Sequence, residues 1–174
     1  MDNSRLVIIT GMSGAGKTQV VHIMEDLGYF CVDNLPPALI PKFAELCAQS
    51  AGRVSRIALV VDIRGGEFFD ELMHVLGEMD REAVMAEVLF LEAADATLIQ
   101  RYKETRRRHP LAPQGRISEG IRLERDRLEY VRGRATHIID TSNLSTQQLK
   151  DRITELYGGE SEQAKLSVNV VSFG

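Results

Sequence analysis

Eight consecutive residues, Gly11-Met12-Ser13-Gly14-Ala15-Gly16-Lys17-Thr18, spell the pattern G-x-x-x-x-G-K-[ST]. The chemistry this spacing supports is phosphate binding. Glycines let the backbone curl until several N–H groups face one centre. A helix beginning at the end of the loop adds its positive end, which favours an anion. Lys17 then reaches the β- and γ-phosphates, and the Thr18 hydroxyl can hold Mg²⁺. The expected ligand is a nucleoside triphosphate, with Lys17 as its catalytic cation.

Acidic residues extend this reading. In an open parallel sheet, ligands bind beyond the carboxyl ends of the strands. Asp33, Asp62, Glu92 and Asp140 all follow apolar, strand-like runs. Asp62 is the expected metal-orienting and catalytic acid. Asp33 can bind the metal, bind a substrate hydroxyl, or cap the turn before Pro36. Glu92 and Asp140 are expected to cap the helices that follow them. Asp62-Ile63-Arg64-Gly65 also spells D-x-x-G, a GTPase-like pattern, but the guanine-reading N-K-x-D is absent from the sequence. An ordinary GTPase is therefore not expected. Thr141-Ser142-Asn143 follows the last predicted strand, where P-loop proteins often contact the base.

Charge is unevenly placed. The chain carries −4 overall, yet residues 101–134 hold ten arginines and Lys103 against five acids. A basic segment in an acidic chain suggests a local anionic ligand rather than a polyanion spread over one face. Arg106-Arg107-Arg108-His109-Pro110 ends a predicted helix, and Arg116 follows the next loop. Arginine forks suit spread phosphate charge, so Arg106, Arg107 and Arg108 are expected to form a lid over the nucleotide, which His109 could join. Arg122, Arg125, Glu129 and Arg132 share a helix face expected to be solvated or to meet a partner. His22, His74 and His137 read as structural. Cys31 and Cys47 sit among apolar neighbours and read as buried thiols rather than a disulfide or ligand pair.

The elements that must position these residues can be read from periodicity. Predicted strands are Arg5–Thr10, Tyr29–Val32, Arg56–Val61, Glu87–Leu91 and Ala135–Ile139. Predicted helices are Lys17–Leu27, one from the prolines at 36 and 37 to about Gln49, about Glu67–Leu76, Asp95 into Arg106–Arg108, Ile117–Arg134, and Ser145–Tyr157. Alternating strands and helices imply an α/β fold of three layers, with a mostly parallel five-stranded sheet as in the small P-loop kinases. Residues 1–157 are expected to form this domain and residues 158–166 a linker. Residues 167–174 would begin a truncated C-terminal domain; that last strand could also mediate homo-oligomer formation. With 174 residues, 44% apolar and 26% charged, the composition suits one soluble domain. The polar N-terminus lacks a signal-peptide pattern, and no apolar run approaches the roughly 20 residues of a membrane span. A cytoplasmic, non-membrane protein is expected.

The segments GMSGAGKT, LGYFCVDNLPPALIP, VVDIR, ETRRRHPL, IRLERDRL and HIIDTSNLS, in this order, resemble the RapZ/YvcJ family of nucleotide-binding proteins. The likeness covers nearly all of residues 6–174, and YFCVDNLP and ETRRRHPL are more family-specific than the loop. It implies ATP binding at Gly11–Thr18, GTP binding at Asp62–Gly65, and an RNase adapter whose C-terminal domain, mostly absent here, binds RNA. A different class, a small-molecule or nucleotide kinase with an arginine lid, fits the same residues.

Overall fold

The apolar run from Leu6 to Gly11 is buried residue after residue. Successive strand side chains point to opposite faces, so a fully buried run requires a sheet covered on both sides. The computed structural model shows such a sheet. It describes residues 5–49, 56–62, 66–82, 85–106, 108–112 and 115–159, without the side chains of Cys47 and residues 66–68. The predicted final strand and nearly all of the predicted linker, residues 160–174, lie outside the described residues, as do Ile63, Arg64, Gly65 and Arg107.

Five strands form the sheet: β1 (Arg5–Gly11), β2 (Phe30–Val32), β3 (Arg56–Val60), β4 (Ala86–Glu92) and β5 (His137–Asp140). Their order is β2-β3-β1-β4-β5, and every pair is parallel. Ile8 of the central strand β1 lies opposite Leu59 of β3 on one side and Val88 of β4 on the other. The helices are α1 (Lys17–Asp26), α2 (Ile40–Gln49), α3 (Gly66–Arg81), α4 (Asp95–Thr105), α5 (Ile117–Arg134) and α6 (Thr146–Tyr157). The five strands predicted for the sheet and the six predicted helices are present, and the fold class is the predicted one.

The boundaries differ where local chemistry decides. A 3₁₀ turn, Pro37–Leu39, precedes α2, because Pro36 holds an extended backbone and Pro37 can only open a helix. Helix α3 runs past the predicted stop at Leu76 because its buried stripe continues to Met79. Helix α4 stops at Thr105, short of the arginine triplet, where Arg106 takes a left-handed conformation at φ 53°. Strand β5 begins at His137, since Ala135 caps α5 with an extended backbone. No helix among the described residues is long and apolar enough to cross a membrane.

Cys31 of β2 is a free, half-buried thiol whose pKa is pushed up to about 11, first by burial and then by the negative charge of Glu25. The thiolate is the reactive form. Against an ordinary thiol near 8.5, its population at pH 7.5 falls about 300-fold, partly offset by the greater nucleophilicity of a more basic sulfur. Iodoacetamide should therefore modify Cys31, in a Cys47→Ser background, roughly twentyfold more slowly than free cysteine. A rate equal to that of free cysteine would contradict this burial.

Candidate functional site

Strand β1 ends at Gly11, which still pairs with Leu91 of β4. Its φ of +140° and the Leu91 carbonyl 2.1 Å from where a Cβ would stand admit only glycine. Gly14 and Gly16 also have positive φ, +85° and +109°. Between them, Met12 and Ala15 turn inward and are buried in the core, which anchors the loop. Gly16 precedes the first turn of α1 and has no side chain with which to cap its N–H groups. The loop thus presents a helix N-terminus and curled backbone to one cleft.

That cleft has a volume of about 760 Å³ and is lined by Ser13 to Gln19, with Asp62, Arg101, Tyr102, Arg108, Thr141 and Leu149 among the surrounding residues. The Lys17 ammonium donates to the carbonyls of Gly11 (2.9 Å) and Met12 (3.1 Å), which places it across the loop. A second recess of about 230 Å³ opens beside it, lined by Lys17, Thr18, Val21, Asp33, Asn34, Val60 and Asp62. Asp33 reaches it because Asn34 adopts a left-handed φ of 55° and the Leu35 N–H donates to Val60 at the end of β3. So the structure gathers Lys17, Thr18, Asp33 and Asp62 into one corner. One hydroxyl and one or two carboxylates beside a phosphate cradle suit Mg²⁺, which takes few protein ligands and completes its shell with water and phosphate oxygens. Among the described residues, no three His, Cys, Asp or Glu side chains gather to hold a metal by themselves.

The arginine segment divides. Arg108 lines the cleft; Arg106 is exposed at the end of α4 and is not among the lining residues, and Arg107 lies outside the described residues. His109 does not join a lid surface. It is fully buried, its Nδ1 accepts from the Leu111 N–H (3.1 Å), and its ring packs against Gly120. The expected solvated face of α5 is partly spent on internal bonds. Arg125 donates to Asp95 (2.6 Å) and to the Ala93 carbonyl, and Arg132 forks onto Glu92 at 2.7 and 3.1 Å. Glu92 is therefore an ion-pair partner rather than a helix cap. Asp140 does not cap α6 either. It accepts from the Ser142 hydroxyl and amide, which hold its carboxyl below the usual range, while Ser145 caps α6 in a capping box with Gln148. His22 and His74 are exposed, and His74 pairs with Glu78 at 3.1 Å.

Three residues hold the loop in a role that the sequence did not suggest, Thr141 having been read as a base-contact position. Arg101 donates to the Gly14 carbonyl (2.8 Å) and to the Thr141 hydroxyl and carbonyl (3.2 and 2.9 Å). The buried Thr141 hydroxyl donates to the Ala15 carbonyl at 2.7 Å. Glu124, 3% exposed, accepts from the Ser13 amide (2.8 Å) and hydroxyl (2.6 Å). A signal for Glu124 existed: it stands in the apolar stripe Ile117, Ile121, Leu128, Val131 of α5, where a charge needs a partner.

Comparison with known proteins places this chain in a family. The model of the RapZ-like N-terminal domain matches residues 4–161. The chain belongs to the RapZ-like N-terminal domain family. A nucleotide-binding protein of Desulfitobacterium hafniense is 59% identical over 170 residues, covering 98% of this chain and 57% of that protein. One from Desulforudis audaxviator is 58% identical over 174 residues, covering 100% of this chain and 59% of that protein. The chain thus spans somewhat more than half the length of these curated relatives. Among solved structures, shikimate kinase from Acinetobacter baumannii superposes with a TM-score of 0.57 at 18% identity, covering 89% of this chain and 93% of that one. The tunicamycin resistance protein of Deinococcus radiodurans gives 0.57 at 22% identity, with 89% and 96% covered. At these identities the likeness concerns the fold: this RapZ-like domain is built as the small P-loop kinases are.

Proposed function

We propose that this RapZ-like domain binds a nucleoside triphosphate, ATP or GTP, with Mg²⁺ in the cleft over Gly11–Thr18. The observation that carries the reading is the loop itself: three glycines at positive φ wrap around Lys17 at an uncapped helix N-terminus. The name nucleotide-binding protein borne by its relatives supports it. Lys17 and Arg108 would meet the phosphates, Arg106 and Arg107 being proposed as further members of the arginine lid, and Thr18 and Asp62, with Asp33, would hold the metal. Asp62-Ile63-Arg64-Gly65 is the proposed GTP-binding segment. The metal supplies charge neutralisation between phosphates when bound. Residues 1–157 form the nucleotide-binding domain in this reading, residues 158–166 a linker, and residues 167–174 the start of a further domain. The whole protein is proposed to be a cytoplasmic RNase adapter in which nucleotide state regulates binding of RNA and a ribonuclease, with slow hydrolysis as its reset.

Calorimetric titration of ATP and GTP with Mg²⁺ tests the binding. Saturable, Mg²⁺-dependent heat from at least one is expected; none from either would overturn the assignment. Asp62→Asn should slow phosphate release at least tenfold while changing affinity less than threefold, because a metal- or water-orienting carboxylate acts mainly in the transition state. Unchanged turnover would remove that role.

The recess holding Asp33, Asn34 and Asp62 next to Lys17 favours a second reading, phosphoryl transfer to a hydroxyl acceptor. Screening small polyols and nucleosides for acceptor-dependent ADP formation separates the two. A phosphorylated product would establish a kinase, and acceptor-independent phosphate release would leave the regulatory domain.

A further inference from the structure

Glu124 presents an energetic puzzle. A carboxylate placed in the apolar stripe of a helix loses its hydration, and an apolar residue of similar size would pack there at lower cost. Its two oxygens are both engaged by one loop residue: Oε1 accepts the Ser13 N–H at 2.8 Å and Oε2 the Ser13 hydroxyl at 2.6 Å. On its other side the ring of His109, wholly buried, brings Nε2 to 3.5 Å of Oε1. Gly120 makes room for that ring, since a Cβ there would stand 2.5 Å from it. The carboxylate thus lies between the Ser13 donors, whose hydrogen bonds it accepts, and the buried His109 ring, whose Nε2 makes no hydrogen bond.

What this accomplishes follows from the peptide plane. In a trans peptide the N–H of one residue and the C=O of the residue before it point in opposite directions. Glu124 takes the Ser13 N–H, so the Met12 carbonyl faces the other way, and there it accepts the Lys17 ammonium at 3.1 Å. The Gly11 carbonyl completes the seat at 2.9 Å. The Met12 carbonyl also accepts the Ala15 N–H at 3.1 Å, so that turn and Glu124 hold the Met12–Ser13 plane from its two sides; without Glu124 the N–H side is released and the seat of Lys17 loosens. Neighbouring peptides are held by other groups, Gly14 by Arg101 and Ala15 by Thr141. The Met12–Ser13 peptide is the one that Glu124 holds, at its N–H.

We propose that Glu124 is a positioning residue for Lys17, acting through the Met12–Ser13 peptide. The inference rests on the nucleotide-binding reading of the loop, and its test has an arm that does not. In the cycle of Glu124→Ala with Lys17→Ala, the loss from Glu124→Ala should depend on Lys17. Glu124→Ala alone should weaken ATP binding about tenfold, the scale of one charge-assisted hydrogen bond, and AMP binding less than threefold. In the Lys17→Ala background the same change should cost less than about twofold, as coupled partners do. Glu124→Gln, which keeps an acceptor for the Ser13 N–H, should stay within about threefold of the original affinity. Equal losses in both backgrounds, or no loss, overturn the proposal; so does tighter binding by both Ala and Gln variants, which would make the carboxylate an obstacle to phosphate. Should Glu124→Ala not fold, Glu124→Asp, with its shorter arm, takes its place in the same cycle.

The second arm uses the ligand-free protein. Amide hydrogen exchange at Ser13 should accelerate at least tenfold in Glu124→Ala, with the Val7 to Ile9 amides of β1 unchanged. An unaltered Ser13 rate overturns the positioning claim even if no nucleotide binds, whereas absence of both ATP and GTP binding to the unmodified protein overturns only the nucleotide reading.

Discussion

Replacing Lys17 by alanine should weaken binding of ATP or GTP by about ten- to a hundredfold, the equivalent of about 1.5–3 kcal/mol for a charge-assisted contact. The ammonium already lies across the loop, held by the carbonyls of Gly11 and Met12. It needs to move little to meet phosphate oxygens, so little of its binding free energy is lost in ordering it. Lys17 serves the β- and γ-phosphates, so a monophosphate should lose less than threefold. That split is the diagnostic feature. A variant that binds triphosphate and monophosphate equally badly would point to a damaged loop, and one that binds triphosphate as well as the original would remove Lys17 from the site. Unfolding curves should move only slightly, because the ammonium is partly exposed at the cleft.

Much of this arrangement could be read from the sequence because it is local. The loop is a contiguous octapeptide whose glycines state their own backbone requirements, and the strand before it and the helix after it are set by short-range patterns. Asp62 was legible for a similar reason, since it directly follows an apolar strand that a parallel sheet must end at the ligand edge. Asp33 was placed at the same edge, but its nearness to Asp62 depends on the left-handed turn at Asn34 and on the Leu35–Val60 hydrogen bond between different strands' ends. Those depend on the β2–β3 pairing, which local patterns do not specify.

The arginines show the limit more clearly. A cluster of cations along a sequence carries no information about which acid or carbonyl each will meet. Arg125, Arg132 and Arg134 are used by Asp95, Glu92 and Asp80, residues 30, 40 and 54 positions away. Of the arginines of residues 101–134, Arg101 and Arg108 line the cleft among the described residues, and Arg101 is bonded there to Gly14 and Thr141. Arg101 itself was passed over because it lies inside α4 rather than at the end of it, and its partners, Gly14 and Thr141, lie 87 and 40 residues away. Glu124 was the one long-range partner that could have been found, since the period of α5 puts it among Ile121, Leu128 and Val131.

The second large effect concerns folding. Gly11→Ala should destabilise the domain by more than about 4 kcal/mol, in the range that marks a specific structural fault. Two penalties coincide. The φ of +140° is one that an L side chain rarely adopts, which costs on the order of 1–3 kcal/mol. The added methyl would also lie 2.1 Å from the Leu91 carbonyl oxygen and 2.6 Å from the Leu91 nitrogen, which are backbone atoms of the neighbouring strand β4. No side-chain rotation relieves that contact, so β1 and β4 must part at the centre of the sheet, an overpacking fault of about 1–3 kcal/mol or more. Gly28→Ala supplies the control. Gly28 has a similarly unfavourable φ of +91° but nothing within 4 Å of the position a Cβ would take, so it should lose only about 1 kcal/mol. For a domain of this size, each kcal/mol lowers Tm by about 2–4 °C. Gly11→Ala should therefore melt at least about 8 °C lower than the parent, or fail to fold, and Gly28→Ala should melt within about 4 °C of it. Equal shifts for the two would mean that backbone conformation alone, and not the close approach of β4, makes glycine necessary at the start of the loop.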